Sequence, residues 1–251
     1  MESKKGTTEE TRMILRWMSD ERRSCLDQFE SSCSNRDYEK VSDIDHALIQ
    51  MPSYNLSYDD MQAISHYSGL GYFSINRAAK GMWNYEDNGS IDRRRIFEDY
   101  VEELSTTISN NGKSIGNTKV YRGVPIKYFR IYGIRSIDEL DALNGKYLLD
   151  KGFVNTSLVE EDSFFDRNPN NGINYNVKIE YLVPEEFTDG MCIVRDSAYK
   201  NESEYLINTW NLAQVVGVER IGSDKAKVTA LLVPKRVYDD AYAMREGNVK
   251  W

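Results

Sequence analysis

Two glutamates one residue apart, Glu202 and Glu204, are the residues in this chain whose types and spacing most directly suggest chemistry. In an extended backbone alternate side chains point the same way, so the two carboxylates share a face, with Cα atoms about 6–7 Å apart. One carboxylate of such a pair can stabilise a sugar cation with oxocarbenium character while the other handles a proton. The alternative is a solvated Glu-Ser-Glu on a surface strand, which the tripeptide alone favours.

Composition and charge argue against several other kinds of site. The net charge of −8 disfavours a surface that binds nucleic acid, and no run of about 18 apolar residues marks a membrane span. His46 and His66 are the only histidines and neither shares a motif with a cysteine, so neither a metal site nor a histidine-activated nucleophile is expected. Unpaired cysteines, and a charged start without the apolar core of a signal peptide, predict a cytoplasmic protein.

The predicted elements place the glutamates in a β-rich half of the chain. Apolar residues follow a helical spacing up to residue 112 and alternate with polar residues after residue 117. Helices followed by strands predict an α+β fold. We expect a helical N-terminal extension over residues 1–56 and a domain over 57–251, with a helical part at 57–112 and a β-rich part at 118–234.

Individual elements follow from end signals and periodicity. Ser57 with Asp60 begins a helix that Gly69 is expected to end. The longest helix, over residues 91–108, is expected to bury a stripe formed by Ile96, Phe97, Tyr100, Val101, Leu104 and Ile108. Strands are predicted at 119–124, 146–149, 152–158, 173–183, 191–194, 202–207, 213–220 and 225–233.

Three separated pieces of this β-rich half contain residues that suit one dinucleotide ligand. Arg122 and Gly123 lie on one predicted strand, where a guanidinium can hold phosphate and a glycine lets a ligand approach the backbone. A second strand carries an Asn-Thr-Ser stretch, and the two glutamates lie on a third. The alternative for the arginine is an ion pair with an acid in the core.

In this order and spacing the pieces resemble those of mono-ADP-ribosyltransferases of the arginine/serine-threonine-serine/glutamate class. That class includes enzymatic components of clostridial binary toxins, Rho-modifying exoenzymes and phage transferases. The resemblance covers about residues 58–233. Two further pieces match it: Tyr72 with Asn76 on a predicted helix, and Phe164 with Arg167 in a loop.

The resemblance implies a fold and a reaction. The fold would be helices packed on a sandwich of two small sheets, with NAD as co-substrate in the cleft and no metal. Glu204 would act at the 2′-hydroxyl of the nicotinamide ribose as nicotinamide leaves. Glutamate at position 202 accompanies an arginine acceptor in the family, whereas glutamine there accompanies asparagine. The implied partner is therefore a target protein with an acceptor arginine.

The resemblance also assigns the remaining site residues. It gives Tyr199 to the turn that recognises the acceptor, with a partly buried loop tyrosine as the alternative. Phe165 is as good a candidate for the nicotinamide clamp as Phe164, and a core position is the alternative for Tyr72. The residues assigned to NAD binding are Tyr72, Asn76, Arg122, Gly123, Asn155, Thr156, Ser157, Phe164 and Arg167.

One position departs from the family pattern, because Asn155 stands where the family has serine. An amide can donate the same hydrogen bond from a longer reach, so we expect Asn155 to position Glu204. Thr156 and Ser157 have the alternative of being ordinary strand hydroxyls. Three activities remain open: arginine ADP-ribosylation by a phage-borne or delivered effector, NAD hydrolysis or modification of a nucleic acid or small molecule, and a catalytically idle binding module.

Overall fold

The computed structural model describes residues 23–33, 35–82, 91–163, 165, 172–195, 197 and 203–237. Four of the predicted site residues lie outside the described residues, namely Glu202, Tyr199, Phe164 and Arg167. The other predicted site residues all fall within them.

Helices occupy the first half of the described chain and strands the second. The α-helices are α1 (Arg23–Cys33), α2 (Ile44–Gln50), α3 (Tyr58–His66), α4 (Tyr72–Ala79) and α5 (Ile91–Asn111). The strands are β1 (Thr118–Val124), β2 (Tyr147–Asp150), β3 (Val154–Ser157), β4 (Val177–Val183), β5 (Gly190–Cys192), β6 (Glu204–Ile207), β7 (Asn211–Arg220) and β8 (Ala226–Val233). Short 3₁₀ segments at Ile126–Tyr132, Ile137–Leu143 and Glu160–Asp162 connect them. The predicted α+β fold is confirmed.

The strands pair into one sheet in the order β2-β7-β8-β4-β1-β3-β6-β5. Strands β4 and β8 pair in parallel, and the other pairings are antiparallel. Between β1 and β3 the ladder consists of one pair, Tyr121 with Ser157, which divides the sheet into a five-strand and a three-strand part. Both parts bury side chains in the same core, for example Ile179 from the first and Val154 and Ile207 from the second.

The helical layer covers the three-strand part. A second apolar cluster joins α3, α4 and α5 to Phe153 and Leu206. The predicted stripe of α5 is present except for Ile96, which is 46% exposed. At 3.6 residues per turn Ile96 lies roughly a quarter turn from the centre of that stripe, so it faces away from the sheet.

The start of α3 and its end before Gly69 are both as predicted. Ser57 and Asp60 form a reciprocal capping box. α3 ends at His66, before Gly69 as expected, and the chain passes through the segment Tyr67–Gly71 into α4. Gly69 has the non-helical angles φ −79° and ψ −129°, so it marks a sharp bend between the two helices.

The described part of the predicted N-terminal extension docks on the sheet. Glu39 bridges to Thr118 and Val41 bridges to Val159, both in parallel. Val41, Ala47 and Met51 are buried in the main core, so this segment and the β-rich part share one interior. No helix among the described residues is long and apolar enough to cross a bilayer.

Candidate functional site

Glu204 and Asn155 form a hydrogen-bonded pair on adjacent strands. Glu204 begins β6 opposite Ser157 of β3, so Asn155, two residues along β3, lies on the same face of the sheet. Asn155 Nδ2 donates to Glu204 Oε1 at 2.6 Å, and Glu204 is only 7% exposed. This is the contact expected from the sequence, and the strand pairing is its cause.

Tyr67 and Asn76 extend this pair into the helical layer. The Tyr67 hydroxyl donates to Asn155 Oδ1, and Asn76 Nδ2 donates to the Tyr67 oxygen at 2.8 Å. In a straight α-helix residues 67 and 76 lie about 13.5 Å apart along the axis, so such a bond cannot form. The bend at Gly69 brings the two side chains together.

Arg122 lies beside a buried carboxylate. Its Nη1 is 3.7 Å from Asp150 Oδ2, and its guanidinium stands 5.6 Å from the ring centre of Tyr128. The same Nη1 is buried and has no hydrogen-bond partner among the described residues. Arg122 therefore makes the ion pair with a buried acid that was its structural alternative, while its side chain stays 24% exposed and can still meet an anionic ligand.

Asp150 is shared between two cations at the end of β2. Lys80 Nζ lies 2.9 Å from Asp150 Oδ1, which also accepts from the Gly152 N–H at 3.1 Å. Tyr128 donates to Asp150 Oδ2 at 3.2 Å. Burial raises the pKa of Asp150, but the charges of Lys80 and Arg122 outweigh it and hold the pKa below its usual value.

The electrostatics of Tyr67 connect the two groups. Burial and the negative charge of Glu204 raise the pKa of the Tyr67 phenol, whereas the Asn76 hydrogen bond and the charge of Arg122 lower it. Arg122 and Glu204 thus act on the same buried hydroxyl from β1 and β6. Asn76 and Asn155 therefore contact the Tyr67 hydroxyl directly, whereas Arg122 and Glu204 influence it through their charges.

The hydroxyls next to this group point into the protein. Thr156 Oγ1 donates to the Tyr205 carbonyl at 2.6 Å. Ser157 Oγ lies 2.6 Å from Ser203 Oγ and donates to the Val159 carbonyl, also at 2.6 Å. Ser203 donates in turn to Asp162 Oδ2 at 2.9 Å. These bonds tie β3 to the chain entering β6, and they favour the structural alternative for Thr156 and Ser157.

The remaining described candidates are less enclosed or already paired. Tyr72 is 52% exposed, which excludes the core alternative for this residue. The Gly123 N–H donates to the Ser163 carbonyl. Phe165 packs its ring 5.3 Å from Lys178 Nζ. The roles of these residues toward NAD remain predictions.

Three polar residues at this site were not predicted from the sequence. Tyr67 was missed because a helical repeat cannot relate it to Asn76. Asp150 and Lys80 were missed because their pairing joins β2 to α4, about 70 positions apart in the chain. An acid at the end of the apolar strand Tyr147–Asp150 was the one available signal. Within the described residues no group of three or more His, Cys, Asp or Glu side chains is arranged to hold a metal ion.

Comparison with solved structures gives relatives of this fold. C3stau2 from S. aureus, determined with NAD, has a TM-score of 0.62 and 18% identity, covering 80% of this chain and 100% of that one. The Clostridium limosum C3 exoenzyme has a TM-score of 0.58 and 17% identity, covering 79% and 98%. Vis from Vibrio splendidus, in complex with agmatine, has a TM-score of 0.58 and 19% identity, covering 80% and 88%.

Comparison at the level of families gives a match to most of the chain. The model of the ADP-ribosyltransferase exoenzyme family matches residues 36–235, whereas a comparison with curated proteins gives no match. The matched residues include all eight strands and the helices from α2 onward among the described elements. The chain therefore belongs to the ADP-ribosyltransferase exoenzyme family.

Proposed function

We propose that this protein transfers ADP-ribose from NAD to an arginine side chain of a target protein and releases nicotinamide. The observation that carries the proposal is the position of Glu204. It is buried, fixed by the Asn155 amide, and acts on the same Tyr67 hydroxyl as Arg122. A buried and fixed carboxylate suits a ligand whose ribose develops positive charge, and Arg122 supplies a cation for its pyrophosphate.

The polar atoms left over in the described site fit NAD. Arg122 Nη1 and Asn76 Oδ1 are both buried and without a hydrogen-bond partner among the described residues. A guanidinium N–H suits a phosphate oxygen, and an amide oxygen suits a ribose hydroxyl. Arg122 would therefore hold the pyrophosphate while Asn76 orients the sugar. The C3stau2 structure was determined with NAD, which supports this choice of ligand.

Glu204 would contribute the chemistry. As nicotinamide leaves, positive charge develops on the ribose, and a buried carboxylate stabilises that charge far more than an exposed one. The Asn155 hydrogen bond fixes the position of the carboxylate, and the proposed role of that carboxylate is to accept the ribose hydroxyl. Preorganisation of this kind is the contribution that we assign to β3 and β6.

Arginine is the proposed acceptor because position 202 is glutamate. A carboxylate can pair with a guanidinium and take up its proton as the nitrogen attacks, which an amide does poorly. The structure of Vis was solved with agmatine, a small guanidinium compound, and this supports a guanidinium acceptor on the same fold. Tyr199 is proposed to contact the acceptor.

The direct test incubates the protein with labelled NAD and a cell lysate. Mass spectrometry then locates the modified side chain, and nicotinamide release is measured in parallel. Glu204→Gln is expected to lower both activities by about 10²–10³-fold. Glu202→Gln is expected to abolish arginine labelling while nicotinamide release persists. Glu160→Gln, outside the proposed site, serves as the matched control.

Three results would contradict parts of this proposal. Nicotinamide release without labelled protein would favour NAD hydrolysis. Labelling confined to a residue type other than arginine would remove the acceptor assignment. Absence of NAD turnover altogether would leave a binding module.

A further inference from the structure

Tyr67 lies at the centre of a chain of hydrogen bonds that ends on Glu204. Asn76 donates to Tyr67, Tyr67 donates to Asn155, and Asn155 donates to Glu204. Tyr67 is fully buried, and its ring packs edge-on against Phe153 with the ring centres 5.3 Å apart. A hydroxyl in this position orients its neighbours.

The direction of every bond in this chain follows from Glu204. An ionised carboxylate only accepts hydrogen bonds, so the Asn155 amide must turn its Nδ2 toward Glu204. Its Oδ1 then faces Tyr67, which must donate its one proton there. The Tyr67 oxygen is left as an acceptor, and Asn76 supplies the matching N–H.

An asparagine at position 155 needs such an orienting donor, whereas a serine does not. A hydroxyl rotates and can always present its proton to the carboxylate. An amide has one end that donates and one that accepts, and the wrong end would set an oxygen against Glu204. Tyr67 stabilises the correct end.

We propose that Tyr67 is a positioning residue that fixes the Asn155 amide and, through it, Glu204. The bend at Gly69 between α3 and α4 is the local structure that makes this possible, because it lets Asn76 reach Tyr67. The kinetic part of this inference rests on the proposed function, and the geometric part does not.

The kinetic test is a double-mutant cycle between Tyr67→Phe and Asn155→Ser. In the wild-type background Tyr67→Phe should lower kcat for nicotinamide release by about tenfold or more, with the KM for NAD changed by less than about threefold. In the Asn155→Ser background the same change should cost less than about twofold. Tyr38→Phe, which removes a half-buried tyrosine donor that bonds the Cys33 carbonyl outside the site, is the control and should have no effect on kcat.

Two kinetic results would overturn the inference. An equal loss of kcat in both backgrounds would mean that Tyr67 acts independently of Asn155. A raised KM at unchanged kcat would mean that Tyr67 supports NAD binding, directly or through Asn76, rather than positioning Glu204.

A second test reads the amide itself and does not depend on turnover. By NMR, the side-chain amide protons of Asn155, assigned by their loss in Asn155→Ser, should exchange about tenfold more slowly than those of exposed Asn144. Tyr67→Phe should remove that protection. Equal exchange at the two asparagines of the wild-type protein, or unchanged exchange in Tyr67→Phe, would overturn the inference. If the wild-type protein releases no nicotinamide, the proposed function fails and this measurement alone decides the role of Tyr67.

Discussion

Asp150 and Glu160 each face two cations, yet the two ion clusters differ in the hydrogen-bond donors that they leave unpaired within the described residues. The site cluster consists of Asp150, Lys80 and Arg122, and the brace cluster consists of Glu160, Lys40 and Lys178. In the brace cluster each oxygen of Glu160 accepts from one ammonium group. Lys40 is also 4.0 Å from Glu161, whose negative charge balances the second cation.

The site cluster is more buried and less balanced. The Asp150 side chain is 6% exposed, compared with 28% for Glu160. Two cations face one acid, and Arg122 retains a buried donor that has no hydrogen bond within the described chain. A satisfied cluster stabilises the fold, whereas a buried cluster with an excess of donors is arranged for an anionic ligand.

The largest expected difference is in stability. Asp150→Asn leaves Lys80 and Arg122 without their carboxylate in a buried setting, and should lower the free energy of unfolding by about 3–5 kcal/mol. Glu160→Gln, in the more exposed brace cluster, should lower it by about 1 kcal/mol. Urea unfolding at pH 7 measures both. Equal losses would mean that the two clusters do not differ as described.

A smaller effect is expected at the turn that places the site cluster. A Cβ on Gly71 would lie 2.4 Å from the His66 carbonyl oxygen, so Gly71→Ala must shift the backbone that leads into α4 and Lys80. We expect a loss of about 2 kcal/mol in the free energy of unfolding. Gly217→Ala, where the nearest atom would be 3.9 Å away, is the control. A loss at Gly71 no larger than at Gly217 would show that the turn tolerates a side chain.

The smallest effect is a pH dependence of the brace cluster. Burial alone raises the pKa of Glu160, but hydrogen bonds from Lys178 and Lys40 outweigh it and lower the pKa to about 2. Because the folded-state pKa lies below the unfolded value, the stabilisation is present above the unfolded pKa and is lost as the pH falls toward 2. Over this pH range we expect Glu160→Gln to lose roughly 1 kcal/mol less of its free energy of unfolding than the wild-type protein loses. Urea unfolding of the wild type and of the variant at each pH measures this difference. An equal fall in the free energy of unfolding of both proteins would be incompatible with that pKa.

The fold was largely predictable because its signals are local. Alternation of apolar residues located each strand to within a few positions, and Ser57 with Asp60 marked the start of α3. Arg122, Asn155 and Glu204 were found from their spacing along three strands. The sheet then explains why Asn155 and Glu204 meet, since β3 and β6 are neighbours.

The unpredicted parts depend on contacts between distant segments. Gly69 marks the end of α3 but not the direction in which α4 leaves. The meeting of Tyr67 with Asn76 therefore cannot be derived from a 3.6-residue repeat. Asp150 finds Lys80 and Arg122 only once β2, α4 and β1 have packed together. Periodicity in the sequence predicts an element and its buried face, but not which charged side chains of different elements become neighbours.

The central claim is that the Arg122 donor at the site cluster binds the pyrophosphate of NAD. Isothermal titration with NAD, performed in the Glu204→Gln background to prevent turnover, tests it most directly. Arg122→Lys should weaken NAD binding by about tenfold or more, because a lysine cannot reproduce the planar fork of donors. Lys40→Gln, in the brace cluster, should leave the affinity unchanged within about twofold. Unaltered NAD affinity in Arg122→Lys, or an equal loss in Lys40→Gln, would contradict the claim.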